Sequence, residues 1–79
     1  MQPHATRADY ERALEDLHFP AAKAAILRHA EDHGGVDAEV QMMLADLPDG
    51  VSYESAADLL DAIRDLYARS GVPASAIPV

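Results

Sequence analysis

Residues 55–71, SAADLLDAIRDLYARSG, decide the fold class. Ser55 followed three residues later by Asp58 has the form of a capping box, with aspartate in place of the usual glutamate or glutamine. Leu59, Leu60, Ile63, Leu66 and Tyr67 then recur at the three- and four-residue spacing of a broad apolar helix face. Gly71 ends the run, because glycine readily takes the left-handed conformation favoured just beyond a helix. A helix with so wide an apolar face has to be covered, and its breadth exceeds what the three shorter helices supplied by the preceding residues are expected to cover, which points to self-association.

Working back from Ser55, Val51 to Tyr53 reads as a brief extended link, at most a single bridge, behind a Pro48-Asp49-Gly50 turn. Ahead of that turn Val40, Met43, Leu44 and Leu47 align on one side of a short helix capped by Asp37 and stopped by Pro48. A further helix is expected from Pro20 to about Asp32, since proline suits a first helical turn while the residue before it, Phe19, is pushed out of helical geometry. Ala22, Ile26 and Ala30, flanked by Leu27, form its buried stripe, and Gly34 and Gly35 end it. Ala21, Ala22, Ala24 and Ala25 allow another backbone to come close. The first helix is expected from Arg7 to Leu17, with Tyr10, Ala13, Leu14 and Leu17 facing inward and Thr6 capping with Asp9. Phe19, the one phenylalanine in a chain without tryptophan, reads as a core anchor. The expected architecture is therefore all-α: a compact four-helix domain over residues 1–71 with short connections, and a flexible tail over 72–79 that carries Pro73 and Pro78 among small residues.

Bulk composition narrows the function classes. With 79 residues and no cysteine, the chain has neither disulfides nor thiolate metal ligands to supplement a small core, so stability has to come from packed helices. No run approaches the roughly 20 apolar residues of a membrane span, and Met1 to Asp9 is polar rather than basic then apolar, which points to a cytoplasmic protein without membrane contact. Fourteen acidic against six basic residues give a net charge of −8, which repels phosphate backbones, and the basic residues occur singly. Direct nucleic-acid binding is disfavoured; a solvated acidic surface, or a basic protein partner, fits better.

The residues that carry chemistry elsewhere do not converge here. His29 and His33 sit four apart near the end of the second helix, a spacing at which two imidazoles bind zinc, but Ala30 occupies the glutamate position of a His-Glu-x-x-His protease motif. A histidine near a helix C-terminus also interacts favourably with the helix dipole without any metal. Ser52, Ser55, Ser70 and Ser75 form no nucleophile elbow, and Ser55 is accounted for as a cap. Adjacent carboxylates such as Glu15 with Asp16 and Glu31 with Asp32 diverge on helices. An acidic helical chain of this length is similar in outline to an acyl carrier protein, yet Glu54-Ser55-Ala56 lacks the Asp-Ser-Leu motif of that family. No cofactor and no catalytic residue is expected.

From Leu17 to Ile63 the sequence resembles a bacterial family known as domain of unknown function 2795. The resemblance is carried by Phe19-Pro20 with Ala21 and Lys23, by Ile26 or Leu27 and Ala30, by Val40 and Leu44, by Leu47-Pro48-Asp49, by Tyr53-Glu54-Ser55, and by Ala57-Asp58-Leu59 with Ala62. It departs at His33-Gly34-Gly35-Val36, and the first helix and the tail are expected to lie outside it. The resemblance implies a short helical domain from a bacterium and no activity. Phe19, Pro20, Leu44, Leu47, Pro48, Tyr53, Ser55, Leu59 and Ile63 read as the fold signature: core fillers, turn formers and a cap. The Tyr53 hydroxyl is expected either to bond a turn carbonyl or to lie at the rim of a partner groove. The functional expectation is a non-enzymatic protein-interaction module that self-associates as a homodimer or larger homo-oligomer. The alternatives are an acidic regulator docking on a basic protein and a small metal-binding protein using His29 and His33.

Overall fold

A computed structural model describes residues 3–33 and 37–79, with the side chain of His33 outside the description. Four helices, α1 (Arg7–Leu14), α2 (Lys23–His33), α3 (Ala38–Ala45) and α4 (Ala56–Arg69), surround one core, and a single 3-10 turn follows at Ala74–Ala76. The expected turn at Gly34 and Gly35, and the departure from the family pattern there, lie outside the described residues.

The fold is mostly helical, but not the all-α architecture expected. Ala21–Ala22 and Ser52–Tyr53 form two short strands, β1 and β2, paired antiparallel with Ala21 opposite Tyr53 and Ala22 opposite Ser52. The expectation of a helix beginning at Pro20 fails for the same reason. Pro20 follows Phe19 through a cis peptide bond, β2 takes up the backbone of Ala21 and Ala22, and α2 starts only at Lys23. Alanine is the best helix former, so here a tertiary pairing overrides local propensity. Phe19 is half-buried and packs against the core from its edge.

The caps behave largely as their chemistry dictates. At α1 the Thr6 hydroxyl accepts from the Asp9 amide at 3.3 Å, and the Asp9 carboxylate accepts from the Thr6 amide at 2.8 Å, completing a capping box. That helix stops at Leu14, short of Leu17, because Glu15 and Asp16 form a turn closed by the Leu17 amide donating to the Leu14 carbonyl at 3.1 Å, in which Asp16 adopts a φ of 63°, a conformation aspartate tolerates better than most residues. Asp37 caps α3 by accepting from the Glu39 amide at 2.8 Å, and Ser55 caps α4 by accepting from the Asp58 amide at 3.3 Å.

Beyond α4, the Val72 amide donates to the Tyr67 carbonyl at 3.0 Å and the Gly71 amide to the Ala68 carbonyl at 3.1 Å. These two bonds are a Schellman motif, and they turn the chain so that Val72 is buried. Ile77 and Val79 also pack against the core, so the expected tail lies on the fold rather than clear of it.

Tyr10, Ile26, Val40, Leu44, Leu47, Leu59, Ile63 and Tyr67 are the fully buried large side chains. At roughly 1.5–3 kcal/mol for burying one such aliphatic side chain, this set supplies the main drive to fold. The apolar face of α4 is taken up by it: Leu59, Ile63 and Tyr67 are buried, and Leu60, Ala62 and Leu66 pack against the same core.

Candidate functional site

Two features stand out once the helices are placed: an open groove beside α2, and a polar network in the middle of the core.

The groove, about 530 Å³ in volume, runs between the α1–α2 connection and the outer face of α2. Leu17 and His18 line it from the connection, and Ala24, Ala25, Arg28, His29 and Asp32 line it from α2. The alanines are exposed because β1 and Ile26 turn the opposite side of the segment inward. Four of the six basic side chains are engaged in ion pairs, Arg7 with Glu11, Lys23 with Asp49, Arg64 with Asp61 and Arg69 with Asp65. Among the described residues, Arg28 and Asp32 form no ion pair, so both charges of the groove wall are uncompensated by neighbours.

The core network was not legible in the sequence. Glu39, next to the apolar positions of α3, is buried. Its carboxylate accepts from the backbone amides of His4 at 2.7 Å and Ala5 at 3.1 Å, and from the Tyr67 hydroxyl at 2.7 Å. Because the single Tyr67 proton is used on Glu39, the Tyr10 hydroxyl is the donor in its 2.5 Å bond to the Tyr67 oxygen. The two rings meet edge to face, with centroids 6.2 Å apart. Burial works to raise the Glu39 pKa, yet the His4 amide, the Tyr67 hydroxyl and the Ala5 amide outweigh it and hold the carboxyl below the usual range. Burial pushes Tyr10 up to about 12 and Tyr67 further still, with the nearby Glu39 charge adding to both. Every polar atom of the network is answered within it, which gives the three side chains a structural account that involves no substrate. One signal for it was present: Tyr10 and Tyr67 both fall on inward helix faces, and buried phenols need partners.

The residues singled out from the sequence fall into place unevenly. Leu44, Leu47, Leu59, Ile63 and Tyr53 are core residues; Phe19 flanks the core, Pro20 and Pro48 are exposed at turns, and Ser55 is the α4 cap. The Tyr53 hydroxyl does not bond a turn carbonyl: it is buried and has no hydrogen-bond partner among the described residues. The pairing of Tyr53 with Ala21 fixes the ring from the backbone, and burial raises the pKa of its phenol. His29 hydrogen-bonds through Nε2 to the carbonyl of Glu15. A carbonyl can only accept, so that nitrogen carries a proton and has no lone pair for a metal in this arrangement. The His33 side chain lies outside the described residues, and no group of three or more potential metal ligands occurs among those described.

A family model described as Protein of unknown function (DUF2795) matches residues 5–60. The chain belongs to that family. The DUF2795 match begins at Ala5, so α1, expected to lie outside the shared region, is inside it. It takes in Tyr10 and Glu39 and ends at Leu60, ahead of Tyr67. No curated protein and no solved structure matches the chain. Among the described residues no helix is long and apolar enough to cross a membrane.

Proposed function

We propose that this chain is a non-enzymatic interaction module that self-associates. The observation that carries the reading is the groove beside α2, lined by the exposed Ala24 and Ala25 and by Arg28 and Asp32, which form no ion pair among the described residues. Small side chains lower the closest approach of a second helix, and interaxial distance depends on the residues at the contact. The broad face of α4, a reason to expect association from sequence, supports it less, because Leu59, Ile63 and Tyr67 are buried in the core and Leu60, Ala62 and Leu66 are partly buried against it. The non-enzymatic part of the reading is supported by Glu39, Tyr10 and Tyr67, which satisfy one another in the core, by Ser55, which caps α4, and by His29, which bonds the Glu15 carbonyl.

Sedimentation velocity over a wide concentration range tests this directly. Self-association predicts a sedimentation coefficient that rises with concentration toward a dimer; a monomer at all concentrations up to the millimolar range removes the proposal.

A further inference from the structure

The groove wall has a charge order that is its own complement. Arg28 and Asp32 stand one helical turn apart on the outer face of α2, opposite in sign, and neither has an ion-pair partner among the described residues. On one helix, residues four apart are close enough to pair, so the absence of that pair leaves both groups available to a second molecule.

We propose that the self-associating contact is an antiparallel, two-fold pairing of α2 helices in which Arg28 of each chain meets Asp32 of the other. This rests on the self-association argued above and specifies its geometry. A two-fold contact is isologous, so a residue and its partner appear twice, once in each direction. An Arg-then-Asp order on one helix, run antiparallel against itself, matches plus to minus at both places. The direction of helical side chains fits as well: they lean toward the helix N-terminus, so Arg28 reaches back over the level of Ala24 and Ala25. In an antiparallel pair crossing near Arg28, that level is where Asp32 of the second chain stands. The small side chains of Ala24 and Ala25 then give the room that the crossing needs, and the open groove is filled by the second helix.

A net charge of −8 opposes any association of two copies. The contact therefore gains from a place where positive charge is not already neutralised within the chain. Arg28 is such a charge and lines the groove, whereas Arg7, Lys23, Arg64 and Arg69 are each occupied by a carboxylate of their own chain, and Arg12, which also forms no ion pair among the described residues, does not line it.

Charge reversal by mixing tests the pairing. Arg28→Glu carries two acidic groups at the wall and Asp32→Arg carries two basic ones, so each variant alone repels its own copy. The expected result is at least a roughly tenfold weakening of self-association for each variant by sedimentation. An equimolar mixture of the two, in which every cross-chain pair is again opposite in sign, forms a heterodimer at least as tight as wild type. Both positions are exposed, and matching circular dichroism for the three proteins establishes that the variants fold. Wild-type association that survives both reversals, or a mixture that stays monomeric, overturns the antiparallel pairing while self-association stands. A wild type that never associates overturns the functional reading itself, and the pairing with it.

Discussion

The Tyr67 hydroxyl donates to Glu39 Oε2 at 2.7 Å, across the contact between α4 and α3, and the same carboxylate holds the His4 and Ala5 amides. One side chain thus joins the last long helix, the third helix and the segment that leads into α1. Its charged form accepts all three bonds, which is why its pKa lies below the usual carboxylate value.

Acid stability follows from that shift. A carboxyl whose folded pKa is depressed stabilises the fold fully above its unfolded pKa and loses that contribution as pH falls through the folded value. With an unperturbed value of 4.5, Glu39 contributes in full near neutrality, and the loss begins as pH drops below about 4.5. In Glu39→Gln the amide oxygen still accepts, but without charge and with fewer lone-pair directions, and its NH2 group faces donors. The expected cost is about 1–3 kcal/mol in urea denaturation at pH 7. The gap to wild type narrows as pH falls below 4.5; a gap constant with pH sinks the assignment.

At the other end of the scale the tyrosines govern. Tyr10 and Tyr67 have folded pKa values above the ordinary 10.0, Tyr10 at about 12, with burial as the first cause. A raised value stabilises the fold at every pH below the unfolded one, and that stability is lost as pH rises from there through the folded value. The chain is expected to hold its melting temperature up to about pH 10 and then to lose it steeply toward pH 12. Tyrosinate absorbance should rise late, together with unfolding. Three phenols that ionise near pH 10 in a chain still fully helical by circular dichroism contradict the burial described here.

Much of the architecture was legible because its signals are local. The Thr6–Asp9 box, the Ser55 cap, the Gly71 stop and the inward faces of α3 and α4 each depend on residues within a turn or two of one another. The errors lie where distant segments meet. Ala21 and Ala22 read as helix, and only the strand at Ser52–Tyr53 makes them extended. Lys23 lies 3.3 Å from Asp49, joining the Phe19–Lys23 and Leu47–Asp49 parts of the family pattern, a proximity that spacing along the chain does not encode. Glu39 was invisible as a core residue because a carboxylate is presumed to be solvated until its donors are known. The α2 groove was half legible: the small residues were evident, but their exposure depended on which side of α2 the core would claim.

Tyr67 and Tyr53, two of the three buried tyrosines, invite a contrast. Tyr67→Phe removes a hydroxyl that both donates to Glu39 and accepts from Tyr10, leaving a buried carboxylate one bond short. A loss of about 1–3 kcal/mol is expected. Tyr53→Phe removes a buried hydroxyl that has no partner among the described residues, so the folded state no longer bears its desolvation cost. That variant is expected to match wild type or exceed it by up to about 1 kcal/mol. Parallel denaturation curves settle the comparison, and a Tyr53→Phe variant as damaged as Tyr67→Phe shows that the Tyr53 hydroxyl is bonded after all.

Gly71 gives the cleanest separation of backbone strain from packing. Its φ of +87° lies where a Cβ clashes with the chain's own backbone, and this conformation lets the Gly71 and Val72 amides return to the carbonyls of Ala68 and Tyr67. A Cβ added at Gly71 meets nothing within 4 Å, so Gly71→Ala introduces no crowding with the rest of the fold. What remains is the cost of a left-handed L-residue, about 1–2 kcal/mol. Since Val72 is buried only because the chain turns at this point, relief of the strain by opening the motif would expose it. The expected result is a lower midpoint in urea with an unchanged slope, the signature of a strained but intact native state. A slope that falls as well means that the C-terminal segment has already come off the core in the native state, and a variant as stable as wild type rules out the left-handed turn.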